Sequence, residues 1–135
     1  MSLERMTIGQ LARKTGVTPR AIRHYERLSL IRAPIRTAAN YRVFDGDSVA
    51  RVRFIANCRT LGFSIPEIGE LLRTIDDPNH TCSQIAELTQ QHLDLVGSKI
   101  SDLMEMHRTL NRNLSKCTGM DVPDCAVLEF LNEPA

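Results

Sequence analysis

Two cysteines near the C-terminus have the most distinctive chemistry in the sequence. Cys117 and Cys125 are separated by seven residues in the segment KCTGMDVPDCAV. Their thiolates are soft ligands that select zinc-like divalent ions or Cu(I). The same spacing is compatible with a disulfide loop or with a turn between helices. The pair alone does not distinguish these alternatives, so its interpretation depends on a third cysteine, Cys82.

Cys82 lies at the start of a long helical segment. Thr81 and Gln84 form a capping-box pattern, which places Cys82 in the first helical position. The segment from 81 to 116 contains no proline, so the helix is expected to continue to its end. Such a helix separates Cys82 from Cys117 by about 52 Å, at about 1.5 Å per residue. The two cysteines therefore cannot share a metal ion within one chain.

An apolar stripe along this helix predicts a homodimer. Residues at alternating spacings of three and four form a coiled-coil seam: Leu93, Val96, Ile100, Leu103, His107, Leu110, Leu114 and Cys117. A small domain cannot cover a helix of about 35 residues, so its stripe needs another helix. If two copies pair antiparallel, Cys82 of one chain lies beside Cys117 and Cys125 of the other. This gives two equivalent sites per dimer, and the positive helix N-terminus favours the thiolate form of Cys82.

The composition excludes several classes of protein. The chain has 135 residues, 42% of them hydrophobic, which fits one globular domain or two small lobes. It has no apolar run long enough to cross a membrane and no signal-peptide core near its start. We therefore expect a cytoplasmic protein with no membrane partner and with free thiols. No pair of catalytic groups has a recognisable spacing, so an enzyme is not expected.

The charge is distributed unevenly along the chain. Residues 1–75 carry 13 Lys/Arg and 6 Asp/Glu, a net charge of +7, whereas residues 76–135 carry 4 and 10, a net charge of −6. Twelve of the 13 basic residues in the first half are arginine, which suits bidentate contacts to phosphate and guanine. This asymmetry indicates that the N-terminal half faces a polyanion.

The first half also contains a helix-turn-helix pattern. Thr7 and Gln10 form a capping box for a first helix, and Gly16 ends it. Thr18 and Pro19 begin a second helix. Basic residues at i, i+3, i+4 and i+7 form one stripe on its outer face: Arg20, Arg23, His24 and Arg27. A helix with such a face is suited to the major groove of DNA.

The following segments predict a wing and two more helices. YRVF alternates as a strand does, so RAPIRTAANYRVFD is expected to form a short hairpin in which Tyr41 and Phe44 are either core or contact residues. Asp47 is expected to cap a third helix containing a buried Cys58, and Ser64 a fourth. The predicted fold is mainly α: a winged helix-turn-helix domain over 1–75, a linker and antiparallel coiled-coil dimerisation helix over 76–116, and a metal-binding loop with a short helix over 117–135.

Three segments, TIGQLARKTGVTPRAIRHYERLSLI, NYRVFD and FIANCRTLGFSIPEI, closely resemble the MerR family of transcription regulators. The long helix and the cysteine loop are similar to the metal-sensing members, which respond to mercury, zinc, cadmium, lead or copper. The resemblance implies a homodimer on promoter DNA whose polymerase-recognition elements are spaced too far apart. Metal binding then distorts the DNA so that RNA polymerase can use the promoter. The implied DNA-contacting residues are Arg20, Arg23 and Tyr25 in the recognition helix and Arg36, Tyr41 and Arg42 in the wing.

The resemblance also bears on the metal. Copper(I) sensors of this family generally have serine at the position of Cys82. A third thiolate suits a 2+ ion, because three thiolates leave less net charge on a complex with a 2+ ion than on a complex with a 1+ ion. We expect a soft divalent effector, Zn, Cd, Pb or Hg, held by Cys82, Cys117 and Cys125, with His80 as the candidate fourth ligand. The loop length is nevertheless typical of the copper-type members. A sensor of Cu(I), Ag(I) or Au(I) using the two loop cysteines therefore stays open, as does a thiol redox switch.

Overall fold

The computed structural model describes residues 5–117 and 125–134. Its helices and strands, in chain order, are β1 (Arg5–Met6), α1 (Ile8–Thr15), α2 (Pro19–Arg27), β2 (Ile35–Arg36), β3 (Arg42–Asp45), α3 (Asp47–Thr60), α4 (Ile65–Asp76), α5 (Cys82–Ser115) and α6 (Ala126–Leu131). The prediction of a mainly helical chain with a winged helix-turn-helix is confirmed. No helix within the described ranges is long and apolar enough to cross a membrane.

The helix-turn-helix forms as its capping residues predict. The Thr7 side chain accepts a hydrogen bond from the backbone of Gln10, and the Gln10 side chain accepts one from the backbone of Thr7. Gly16 ends α1 with φ of 73°, a left-handed conformation that costs glycine little because it has no Cβ. Thr18 then caps α2, accepting from Ala21 N at 3.1 Å. These local bonds fix the three-residue turn between α1 and α2 and so position α2.

The wing is part of a three-stranded antiparallel sheet with the order β1-β3-β2. Its hairpin turns between Thr37 and Tyr41, with Asn40 at φ of 66°. Strand β1 was not predicted, because two residues are too few to show an alternating pattern. Its pairing of Met6 with Phe44 brings both side chains into the core.

Helix α3 begins differently from the prediction. Asp47 is its first residue and makes no capping bond; the carboxylate of Asp45 instead accepts from the backbone N and the hydroxyl of Ser48, at 3.1 and 3.2 Å. The prediction for Asp47 was wrong because Asp45, at the end of β3, reaches the first turn of the helix. Ser64 caps α4 with Glu67 as its capping-box partner, as predicted.

The chain divides into two compact units, and the boundary lies between Leu88 and Thr89. The core of the first unit is formed by Met6, Leu11, Ile22, Tyr25, Leu30, Ile31, Phe44, Val52, Ile55, Cys58, Phe63, Ile68, Leu71 and Leu72. Ile85 and Leu88, in the first two turns of α5, also pack against it. The predicted boundaries after residues 75 and 116 stay a prediction.

The second unit contains the rest of α5 together with α6. Its helices leave much apolar surface uncovered in the single chain, including the side chains of Leu93, Ile100, Leu103, Leu110, Leu114, Leu128 and Leu131. His92 and Asn113 are the buried residues of α5. The uncovered surface includes most of the predicted coiled-coil seam.

Candidate DNA-binding face and metal-ligating thiols

The outer face of α2 carries the predicted basic stripe. Arg20, Arg23 and Arg27 are exposed, and Ile22, on the opposite face, is fully buried. This division follows from helical periodicity, because residues three and four apart share a face. Within the first unit, α2 therefore presents guanidinium groups to solvent while its apolar side fixes the helix against the core. Such a helix can make both phosphate and base-edge contacts.

Tyr25 differs from the role that the family resemblance assigned to it. Its side chain is only 8% exposed and belongs to the core. The reason is its position, three residues after the buried Ile22, which puts it on the inward face of α2. Tyr25 therefore positions the recognition helix from inside the domain, and we leave it out of the proposed DNA contacts.

The wing presents a tyrosine and an arginine to solvent. Tyr41 is 70% exposed and lies just before β3, so it is a surface residue, whereas Phe44 is core. Arg36 Nη1 donates to the side-chain oxygen of Asn40 at 3.2 Å, which holds the guanidinium across the hairpin turn. An exposed tyrosine beside an oriented arginine is a common phosphate-contacting arrangement.

Arg42 is paired with a residue that the sequence did not single out. Its Nη2 donates to Glu26 Oε1 at 2.6 Å, joining the wing to the recognition helix. The side chain of Arg42 is 49% exposed and that of Glu26 is 19% exposed. No sequence signal predicted the pair, because its members lie 16 residues apart on different elements. The pair reduces the positive charge that Arg42 offers and fixes the wing relative to α2.

Glu26→Gln is expected to weaken discrimination between specific and random DNA. The substitution removes one negative charge from the face that is proposed to contact the DNA phosphates. The affinity for random DNA should therefore rise about two- to fivefold at low salt. The substitution also breaks the contact that holds the wing against α2. The affinity for a selected operator should therefore not rise in proportion to the affinity for random DNA. Because the pair is partly exposed, the free energy of unfolding should fall by at most about 1 kcal/mol.

Fluorescence anisotropy with an operator duplex and a random duplex measures both affinities. Glu70→Gln, which removes an exposed carboxylate on α4, is the control and should leave both unchanged. An unaltered ratio of the two affinities in Glu26→Gln would show that the pair has no role in recognition.

The cysteines differ in exposure. Cys82 is exposed as the first residue of α5, and Cys117 is exposed just after its last turn. Cys125 is half-buried and precedes α6, and Cys58 is buried in the core. All four thiols are free. Burial raises the pKa of the Cys58 thiol, which disfavours its thiolate and so its use as a ligand. The sulfur atoms of Cys82, Cys117 and Cys125 are thus the accessible ones.

Within the described part of one chain, the thiols of Cys82, Cys117 and Cys125 are not grouped into a metal site. Among residues 5–117 and 125–134, no three His, Cys, Asp or Glu side chains are close enough to hold a metal ion. The loop between Cys117 and Cys125 lies outside the described residues. The prediction of a site shared between two chains therefore stays a prediction.

His80 is oriented by a backbone carbonyl. Its Nδ1 is 2.7 Å from the carbonyl oxygen of Asp77. Because a carbonyl oxygen only accepts, Nδ1 donates this hydrogen bond, so Nε2 is the ring nitrogen left to face a ligand. Metal-ligating histidines are commonly held by a hydrogen bond of this kind. The ring lies two residues before Cys82, and the capping box of Thr81 and Gln84 fixes the start of α5 after it.

The accessibilities predict two classes of thiol. In the reduced, metal-free protein, a disulfide reagent such as DTNB should react quickly with Cys82, Cys117 and Cys125. Cys58 should react at least about tenfold more slowly, because its thiol is buried and protonated. Quenching at intervals and locating the modified cysteines by mass spectrometry tests this. Rapid reaction of Cys58 in the folded protein would contradict the described core, and in denaturant all four should react alike.

A winged helix-turn-helix with an arginine-lined recognition helix defines a DNA-binding regulator. Residues 6–75 match the family model described as "MerR HTH family regulatory protein", and residues 49–112 match "MerR, DNA binding". The chain belongs to the MerR family of transcription regulators. The predicted family is thereby confirmed, as is the prediction of a regulator and not an enzyme.

Several relatives share nearly the whole chain. The Rhizobium meliloti "Heavy metal-dependent transcription regulator 2" is 36% identical over 92% of this chain and 84% of its own. The Escherichia coli regulator ZntR is 36% identical over 95% of this chain and 93% of its own. The crystal structure of PbrR691 from Ralstonia metallidurans, in complex with lead(II), has a TM-score of 0.82 and 29% identity, covering 93% of this chain and 98% of that one.

Proposed function

We propose that this protein is a metal-responsive transcription activator that binds promoter DNA as a homodimer. The observation that carries the proposal is the position of two exposed, free thiols, Cys82 and Cys117, at the two ends of one helix. Thiols at both ends of a helix meet only when a second helix runs antiparallel to the first. The relatives named for heavy metals and the lead(II) complex support a metal effector.

The proposed dimer uses the apolar face of α5. Ile100, Leu103, Met104, His107 and Arg108 line an open apolar concavity on this helix. Exposure of such an apolar surface to water is unfavourable, and the same stripe of a second copy can cover it. In an antiparallel pair, residues whose numbers sum to about 200 face each other, so Val96 is near Leu103 of the partner subunit. This register brings Cys82 of one chain to Cys117 and Cys125 of the other.

The proposed metal ligands are the three accessible thiolates. Three thiolates leave a net charge of −1 around a 2+ ion but −2 around Cu(I), so the set favours Zn, Cd, Pb or Hg. His80 is the proposed fourth ligand for an ion that prefers tetrahedral coordination, because the contact of Nδ1 with the Asp77 carbonyl leaves Nε2 to face the ion. A Cu(I) sensor would instead use Cys117 and Cys125 alone.

The proposed DNA contacts are Arg20 and Arg23 on α2 and Arg36, Tyr41 and Arg42 on the wing. In a twofold dimer, two recognition helices enter successive major grooves, so the position of one domain relative to the other sets the DNA shape that is bound. Metal at the subunit interface would bias that position and let RNA polymerase use the promoter. The protein would act in the cytoplasm, where the promoter is.

Metal titration of the reduced dimer tests the proposal. We expect two Cd(II) per dimer, with thiolate-to-metal absorbance that saturates at that ratio, and tight competition from Zn(II), Pb(II) or Hg(II). If the protein binds Cu(I) far more tightly than it binds any of the four divalent ions, the result would favour the two-cysteine alternative. Reversible loss of two thiols on mild oxidation, with no stoichiometric metal binding, would favour the redox switch.

A further inference from the structure

An ion pair joins the end of α4 to α3 within the first unit. Arg51 Nη2 donates to Asp76 Oδ1 at 2.6 Å. The Arg51 side chain is 29% exposed and that of Asp76 is 57% exposed, so the pair is partly shielded from solvent. Asp76 is the last residue of α4. The pair therefore holds the point at which the chain leaves the DNA-binding helices.

The segment after α4 is a hydrogen-bonded turn that leads to Cys82. The carbonyl oxygen of Asp77 accepts from the backbone N of His80 at 3.1 Å and from its Nδ1 at 2.7 Å. The reciprocal bonds between Thr81 and Gln84 follow and begin α5. These hydrogen bonds connect the turn that carries His80 and Cys82 to Asp77, the residue directly after the end of α4.

Arg51 has a second arrangement available. Its Nη1 is buried and has no hydrogen-bond partner within the described residues, so a guanidinium able to form two bonds to a carboxylate uses one nitrogen. Asp47, four residues earlier on α3, lines the same open cavity as Arg51 and Asp76. A carboxylate and an arginine at this spacing can pair along a helix. Asp47 is therefore the candidate second partner of Arg51.

We propose that the Arg51–Asp76 ion pair is the contact through which metal binding at Cys82 and His80 shifts α3 and the DNA-binding helices. The inference rests on the proposed function and names the regulatory contact of that same site. An ion pair with two alternative partners is a discrete two-state element that a ligand can bias. Arg51 and Asp76 are positioning residues, since neither belongs to the proposed metal ligands or DNA contacts.

The test uses the full-length dimer with Cd(II) and an operator duplex selected from a random library by the metal-free protein. Thiolate absorbance reports metal loading, anisotropy reports DNA affinity, and energy transfer between dyes at the duplex ends reports DNA shape. Asp76→Asn should keep its metal and operator affinities within about threefold of wild type, since a partly exposed pair adds little stability. The metal-dependent change in energy transfer should fall by at least about half.

Two further variants separate coupling from folding. Asp76→Glu keeps the carboxylate and should keep the energy-transfer change, and Glu70→Gln, on the same helix, should behave as wild type. If Asp76→Asn loads Cd(II) and retains the full change, the inference is overturned and the proposed function stands. If Asp76→Asn fails to load Cd(II), the pair maintains the site and does not couple it, which also overturns the inference. A wild-type dimer that loads Cd(II) without any change in DNA shape contradicts both proposals.

Discussion

Cys82→Ser is expected to abolish the response to divalent ions and to spare binding of Cu(I). Removing one thiolate leaves a 2+ ion with two soft ligands, and a serine hydroxyl does not replace the third at neutral pH. Two thiolates are sufficient for Cu(I) and give the complex the same net charge of −1 that three give a 2+ ion. The affinity for Cd(II) should fall by at least about a hundredfold, because loss of an outer-shell partner alone costs about 10–100-fold and loss of a primary ligand costs more.

Titration with Cd(II) and with Cu(I), each followed by thiolate absorbance, checks this expectation. Ser83→Ala, at the next exposed position of α5, is the matched control and should bind both ions as wild type does. Equal loss of Cd(II) and Cu(I) binding in Cys82→Ser would refute the charge argument. Unchanged Cd(II) binding would remove Cys82 from the site.

Arg23→Ala is expected to weaken operator binding strongly and to leave metal affinity nearly unchanged. Its guanidinium is exposed on the outer face of α2, so the substitution removes no core contact. A bidentate arginine–base contact contributes about 1–3 kcal/mol, and a homodimer loses two of them. The operator affinity should therefore fall at least about thirtyfold.

The salt dependence of binding distinguishes the two kinds of contact. If Arg23 reads a base edge, its loss should weaken binding to the operator more than to random DNA; if it contacts phosphate, both should weaken alike and the salt slope should decrease by about one per contact. Arg73→Ala, an exposed arginine on α4, is the matched control. A large drop in metal affinity for Arg23→Ala would contradict the separation of DNA-binding and metal-binding parts.

The helices could be predicted because their ends are encoded locally. The capping boxes of Thr7 and Gln10, of Ser64 and Glu67, and of Thr81 and Gln84 each involve residues three apart, and all three form. The same locality explains the left-handed Gly16. Local bonds of this kind are readable from one sequence without knowledge of the tertiary structure.

Contacts between elements distant in sequence were not predictable. The Glu26–Arg42 and Arg51–Asp76 pairs depend on how the wing and α4 pack, and charges at separations of 16 and 25 residues show no periodic pattern. Tyr25 shows a related difficulty. The family resemblance indicated that it contacts DNA, whereas the structure buries its side chain in the core. The proposed metal site involves a second chain, which no single-chain pattern specifies directly.

A metal count on mixed dimers tests the shared site most directly. Cys82→Ser and Cys117→Ser chains with different affinity tags are co-expressed, and the heterodimer is isolated by sequential capture. If ligands come from both subunits, the heterodimer has one intact site, formed by Cys82 of one chain with Cys117 and Cys125 of the other. We predict one tightly bound Cd(II) per heterodimer and none in either homodimer. A heterodimer that binds no Cd(II), while the wild-type dimer binds two, would contradict a site shared between subunits.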